Sequence, residues 1–293
     1  MRDDDQEPSS DPFGPLDPID GERSMTLFGA IAWTFLSTST FLLLLLLLVS
    51  IRPGVQGDLV TNFGAQVFGT LLTLFCILRL YAPNTSIRHF LGLRGTHPGF
   101  YVLAAVLGVI IQLPTTALYD AILKRNPLET DHDALFMDDL ARGRPWQAIL
   151  FFIIVLAGPF LEEVFFRGAL FRPLRKENAT SAVVLMSTVL FAFVHLEKQI
   201  FFPIAIVGFV LGILRTVSGS LIPSIIMHTA FNGAAFWSMY TRFKSGVATS
   251  TEPPPPWSLI AGASLATLFL VVMTVVIGRY SRMAKDARSE DLA

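Results

Sequence analysis

The sequence predicts an all-α, polytopic membrane protein of about eight transmembrane helices, an expectation carried by composition and by the spacing of apolar runs. Of the 293 residues 52% are hydrophobic and only 15% are charged, and the mean hydropathy is +0.57, well above that of a soluble domain of this length. Apolar stretches of helical length recur along the chain, separated by short polar segments. The 22 basic and 23 acidic residues nearly cancel, so charge makes no case for a nucleic-acid partner and the lipid bilayer is the expected surrounding.

Residues 1–24 are acidic and rich in Pro, Ser and Gly, a composition expected to remain a flexible tail. The run 25–51 that follows is too long for the core of a signal peptide and is preceded by acidic rather than basic residues, so it is expected to be a retained membrane helix. A bilayer core takes about 20 apolar residues in a helix. That ruler places the remaining spans at 61–81, 99–119, 146–171, 179–197, 200–217, 221–241 and 257–279. Cys76 lies alone in an apolar run, so no disulfide framework or thiolate metal cage is available. The charged and apolar mixture between the third and fourth spans suits a short interfacial helix, and the "TEPPPP" before the last span a stiff spacer. The chain thus divides into a tail (1–24), first spans with the interfacial segment (25–145), a core (146–241) and a closing region with the last span and a basic end (242–293). Summing Lys and Arg over alternate loops gives thirteen on the side holding both termini and eight on the other, which favours cytoplasmic termini.

Polar groups at membrane depth are costly, and here they cluster on three spans. The fourth holds Glu162, Glu163 and Arg167 in "GPFLEEVFFRGALF"; the fifth ends at His195; the seventh carries His228 and Asn232. Glu163 and Arg167 are four residues apart and share a helix face, where each offsets the burial cost of the other. Glu162 is turned about 100° from that pair and stays available for other work. Phe191 and His195, and His228 and Asn232, are also four apart, so each later span presents one polar site on one face. Counted from the loops on a common side, the four groups Glu162, His195, His228 and Asn232 spread over roughly 15 Å of depth at about 1.5 Å per residue, compatible with one pocket.

A carboxylate, two imidazoles and a carboxamide suit hydrolysis by water. Glu162 can take a proton from water and return it to a leaving amine, His195 can hold that water, and His228 and Asn232 can donate to a developing oxyanion. No Gly-x-Ser-x-Gly elbow or Ser-His-Asp order is present, which argues against a covalent acyl-enzyme. Zinc is the other way to activate the water, with Glu and His as acceptable ligands; the His-Glu-x-x-His helix is absent, so the spacing does not demand a metal and both routes stay open. A proton-coupled transporter could use the same residues as a relay, but its ionisable groups would continue to both faces instead of stopping within three helices. The "GFVLG" of the sixth span is a small-xxx-small pattern that suits helix packing.

Glu-Glu-x-x-x-Arg, Phe-x-x-x-His and His-x-x-x-Asn, in that order on successive membrane helices, resemble the motifs of the CPBP family of intramembrane proteases, also called the Abi family. That family includes the type II CAAX prenyl endopeptidases and bacteriocin-processing or immunity proteins. The resemblance covers about residues 146–240 closely and the preceding spans in architecture only. It implies an eight-helix core with a membrane-embedded catalytic cavity that cleaves peptide bonds of a membrane peptide or protein. Water activation would fall on Glu162 and His195, oxyanion stabilisation on His228 and Asn232, with Glu163 and Arg167 completing the first motif. Dependence on zinc stays open, and immunity relatives keep a non-catalytic scaffold as an alternative. The expected location is a bacterial cytoplasmic membrane.

Overall fold

A computed structural model describes residues 21–55, 58–127, 132–246 and 255–290, with side chains left undescribed at 132–133 and 284–290. Among the described residues every regular element is a helix. The first helix, α1 (Leu27–Ile51), starts at Thr26, whose hydroxyl accepts from the Gly29 N–H. The second, α2 (Leu59–Tyr81), starts at Asp58, whose carboxylate accepts from both the N–H and the hydroxyl of Thr61. The Thr61 hydroxyl is the main cause that holds the Asp58 carboxyl below its ordinary value. These two helices pack on one another, and a short helix, α3 (Ile87–Leu91), leads to the third span.

That span is interrupted at Ile111, where α4 (Gly99–Ile110) gives way to α5 (Gln112–Leu123), three residues before Pro114, which has no N–H to give to the preceding turn. The expected short helix after it is α6 (His132–Ala141). The fourth span is segmented: α7 (Arg144–Phe151), a π turn (Phe152–Ala157), α8 (Gly158–Glu163), a second π turn (Val164–Ala169) and α9 (Phe171–Arg175). The chain continues through α10 (Thr180–Phe193), α11 (Phe201–Ser218), α12 (Ile222–Ser245) and α13 (Trp257–Glu290).

Among the described residues six stretches are long and apolar enough to cross a membrane: Leu27–Ile51, Leu59–Tyr81, Gly99–Leu123, Arg144–Arg175, Phe201–Ser218 and Trp257–Met283. Two of the spans expected from sequence fall outside that group. Their helix α10 has only 14 residues, and α12, at 24 residues, carries Ser224, His228, Thr229 and Asn232 among its apolar side chains. α12 is an interior element that packs against α4, α8 and α11, whereas α10 lies along α11 and leaves Leu185, Val189 and Phe193 exposed on its other face. The outermost helices are α1 and α13, whose Phe35, Leu43, Leu265 and Phe269 are exposed, as befits side chains that face acyl chains in an integral membrane protein.

α4 and α12 approach each other closely. A Cβ at Gly108 would lie 2.3 Å from the Met227 carbonyl oxygen and 2.9 Å from the Phe231 nitrogen, backbone atoms that cannot swing away. Gly108→Val is therefore expected to lower stability by about 3 kcal/mol, read as a reduced unfolding midpoint in detergent; an unchanged midpoint would show that the two helices separate freely.

Two expected segments, the tail and the Pro-rich spacer, lie largely or partly outside the described residues. Residues 1–20 of the expected tail lie outside the described residues, but Glu22 is not part of a solvated segment. Its side chain is only 2% exposed, and it accepts from Arg172 Nε at 2.7 Å, because α9 brings a cation into a half-closed site beside it. Four residues of the Pro-rich spacer, 251–254, also lie outside the described part.

Candidate active site

Of the polar residues singled out on the fourth span, Glu162 and Glu163 end the short α-helical segment between the two π turns, and Arg167 lies in the second π turn. A π turn shifts the hydrogen-bond register, so that the residues beyond it rotate and a backbone carbonyl becomes available to another group. Ile154, in the first π turn, uses that freedom: its carbonyl accepts from Asn232 Nδ2 at 2.8 Å, fastening α12 to the entry of the motif helix.

Glu163 and Arg167 form the ion pair that their spacing suggests, with Arg167 Nη1 3.0 Å from Glu163 Oε1 and both side chains 0% exposed. The pair is embedded in further contacts. Arg167 Nη2 donates to the Gly208 carbonyl at 2.8 Å, and its guanidinium stacks over Phe191, 4.4 Å from the ring centroid. The first glycine of "GFVLG" permits this, since a Cβ at Gly208 would meet Phe191 at 2.9 Å and Arg167 Nη2 at 3.2 Å; the second serves helix packing, since a Cβ at Gly212 would meet Val184 at 3.0 Å.

Glu163 also reaches α12. His228 Nδ1 lies 3.1 Å from Glu163 Oε1, and since a carboxylate oxygen only accepts, Nδ1 carries the hydrogen. The other nitrogen, Nε2, points toward Glu162, 3.8 Å from Oε2. His228 thus bridges the two adjacent glutamates, one fully buried and one 20% exposed. Sequence spacing alone treats Glu162 as having no partner in its own helix, which holds; its partner comes from α12.

His195 follows the end of α10. Its Nδ1 is 2.8 Å from the Phe191 carbonyl and must donate there, which leaves Nε2 as a lone-pair acceptor in the neutral ring. Phe191 sits edge-on to both imidazoles, with centroids at 5.1 Å from His195 and 5.6 Å from His228. The next residue, Leu196, has φ of +59°, a left-handed conformation that costs a branched side chain about 1 kcal/mol or more and turns the chain sharply away after the histidine.

Glu162 and His195 line one cavity of about 330 Å³, whose other wall comes from Thr34, Ser37 and Phe41 of α1 and Gln66 and Thr70 of α2. A neighbouring cavity of about 220 Å³ is lined by Glu162, Asn232, Gln66 and Phe41. All six residues nominated from sequence therefore gather around one turn: Glu162 in the cavities, His195 and Asn232 on either side of it, His228 beneath, and Glu163 with Arg167 behind. The hydroxyls and carboxamide of the first two spans were overlooked. Their signal was available in the repeat of Thr34, Ser37 and Thr38, and of Gln66 and Thr70, at helical spacing within otherwise apolar runs. Arg215 was overlooked as well; buried on α11, it donates from Nε to the Arg167 carbonyl at 2.8 Å.

Among the described residues no three His, Cys, Asp or Glu side chains converge closely enough to hold a metal ion. The described side chains thus do not bring together the three protein ligands that a catalytic zinc takes.

Residues 144–234 match the family model described as type II CAAX prenyl endopeptidase Rce1-like. The matched segment holds all three motifs, in agreement with their resemblance to the CPBP family, and supports a CAAX-type intramembrane protease in general. No curated protein and no solved structure matches the chain.

Proposed function

We propose that the protein is an intramembrane endopeptidase in which Glu162 and His195 activate water and His228 and Asn232 stabilise the oxyanion. The observation that supports this reading best is the placement of Glu162 and His195 on one cavity, with His228 3.8 Å from the same carboxylate. Water held between Glu162 and the His195 Nε2 lone pair loses a proton to Glu162 as its oxygen attacks the scissile carbonyl carbon. The carbonyl oxygen becomes an oxyanion, which accepts from Asn232 Nδ2, whose second hydrogen is not used by Ile154, and from a proton on His228 Nε2. With Nδ1–H committed to Glu163, that second proton makes His228 a charged donor. Glu162 then returns its proton to the leaving amine, the C–N bond breaks, and a carboxylic acid and an amine are released. Catalytic hydrogen bonds are often long before substrate arrives, so a 3.8 Å approach suits a site that tightens on binding.

The description of the matching family, type II CAAX prenyl endopeptidase, points to peptides that end in a CAAX sequence and carry a prenyl group. The test is cleavage of a farnesylated CAAX peptide and its unprenylated counterpart by the protein in liposomes. Wild type is expected to cleave, and His195→Gln to lower kcat about a hundredfold with an unchanged unfolding midpoint. Full activity in His195→Gln would remove that residue from water activation. No cleavage of either peptide by the wild type would overturn the protease reading in favour of a non-catalytic scaffold of the same fold.

A further inference from the structure

The polar side chains of α1 and α2 beside Glu162 have no part in the cycle described for it. Thr34, Ser37, Gln66 and Thr70 line its cavity from two membrane-crossing helices, where an unpaired polar group is costly. Other hydroxyls of the same helices satisfy themselves: Thr40 donates to the Leu36 carbonyl and Thr73 to the Gly69 carbonyl, both at 2.8 Å. The four that line the cavity do not; among the described residues their side chains have no hydrogen-bond partner. Thr34 is nevertheless 5% exposed, and Ser37 and Thr70 are each 8% exposed.

Helix packing holds these groups together. A Cβ at Gly69 would lie 2.9 Å from the Ser37 carbonyl oxygen and 3.2 Å from the Phe41 nitrogen, so α1 and α2 are in backbone contact at this level. That approach puts Thr34 and Ser37 of one helix on the same wall as Gln66 and Thr70 of the other. The Thr34 oxygen is enclosed within the wall. Phe41, Gln66 and Glu162 line both cavities, the one that holds His195 and the one that holds Asn232. Gln66 therefore stands where the two hollows adjoin, beside the carboxylate that takes the proton from water.

We propose that Gln66 is a substrate-binding residue whose carboxamide pairs with a backbone amide of the peptide beside the scissile bond, a role that rests on the endopeptidase reading of Glu162. Ser37 and Thr70 take neighbouring backbone groups, and the peptide lies extended from one cavity to the other past Glu162. The chemistry of the lining selects this ligand. A peptide must unwind to offer its bond to water, and in a membrane each N–H and C=O set free by unwinding needs a new partner. A carboxamide donates and accepts as a peptide group does, and hydroxyls do both as well. Such neutral groups read the backbone and not the side chains, so the strip accepts peptides of differing sequence.

The test uses the full-length protein in liposomes, the farnesylated CAAX peptide, and analogues in which one backbone amide other than the scissile one is replaced by an ester, which removes an N–H. Gln66→Leu is expected to raise KM about tenfold with kcat within about twofold of wild type. Its unfolding midpoint is expected to be unchanged or higher, since the carboxamide has no partner among the described residues to lose. At least one ester is expected to raise the wild-type KM by a similar factor and to have no further effect in Gln66→Leu. Thr70→Val is expected to raise KM about threefold, and Thr73→Val, whose hydroxyl is tied to Gly69, to leave it unchanged. An unchanged KM in Gln66→Leu, a fall in kcat alone, or an ester penalty as large in Gln66→Leu as in wild type would overturn the strip and leave the protease reading standing. Where wild type binds the peptide without cleaving it, affinity weakened about tenfold by Gln66→Leu upholds the strip and removes only the protease reading. Affinity indifferent to the substitution, or no binding at all, overturns the strip.

Discussion

Glu162→Gln is expected to lower kcat for peptide cleavage about a thousandfold while leaving the unfolding midpoint within about 2 °C of wild type. Glutamine keeps the size and one hydrogen-bonding oxygen of the side chain but cannot take a proton from water. The change corresponds to about 4 kcal/mol in the barrier, more than a single neutral hydrogen bond supplies. The two adjacent glutamates are separable in this experiment because their surroundings differ. Glu162 is 20% exposed into the cavity, whereas Glu163 is sealed between Arg167 and His228. Removing the charge of Glu162 costs the fold little; cleavage by Glu162→Gln within threefold of wild type would end its assignment as the base.

Arg167→Met is expected to have the largest effect on stability, about 4 kcal/mol, seen as a lower unfolding midpoint in detergent. The substitution leaves the Glu163 carboxylate fully buried with only the His228 contact, and among the described residues Glu163 Oε2 has no hydrogen-bond partner to compensate. It also leaves the Gly208 carbonyl without the donor that Arg167 Nη2 supplies and takes the cation from above Phe191, the ring that flanks both imidazoles. Pairing it with Glu163→Gln removes the uncompensated charge, so the double variant is expected to recover about half of the loss. A double variant no more stable than Arg167→Met would mean that the lost contacts to Gly208 and Phe191, rather than the stranded carboxylate, account for the effect.

Much of this arrangement was legible in the chain. The i,i+4 spacing of Glu163 and Arg167 is enough to bring a carboxylate and a guanidinium to one helix face, and a membrane interior leaves such a pair no cheaper partner than each other. The polar faces of the fifth and seventh expected spans followed from the same rule. The number of crossings was less legible, because hydropathy reads a helix in isolation. A helix held by its neighbours can be short, as α10 is along α11, or polar, as α12 is between α4, α8 and α11.

What sequence determined by itself was the class of fold and the identity of the polar residues, since both depend on composition and on spacing within one helix. Tertiary structure alone decided what each residue touches. His228 bridges Glu163 and Glu162 across two helices, Asn232 takes a carbonyl that a π turn sets free, and α1 and α2 contribute Thr34, Ser37, Gln66 and Thr70 to the cavity wall. Helical periodicity fixes the angle between neighbours on one helix but carries no information on which face of another helix will meet them. That meeting depends on packing between elements far apart in the chain, such as the contact of Gly108 with the backbone of α12.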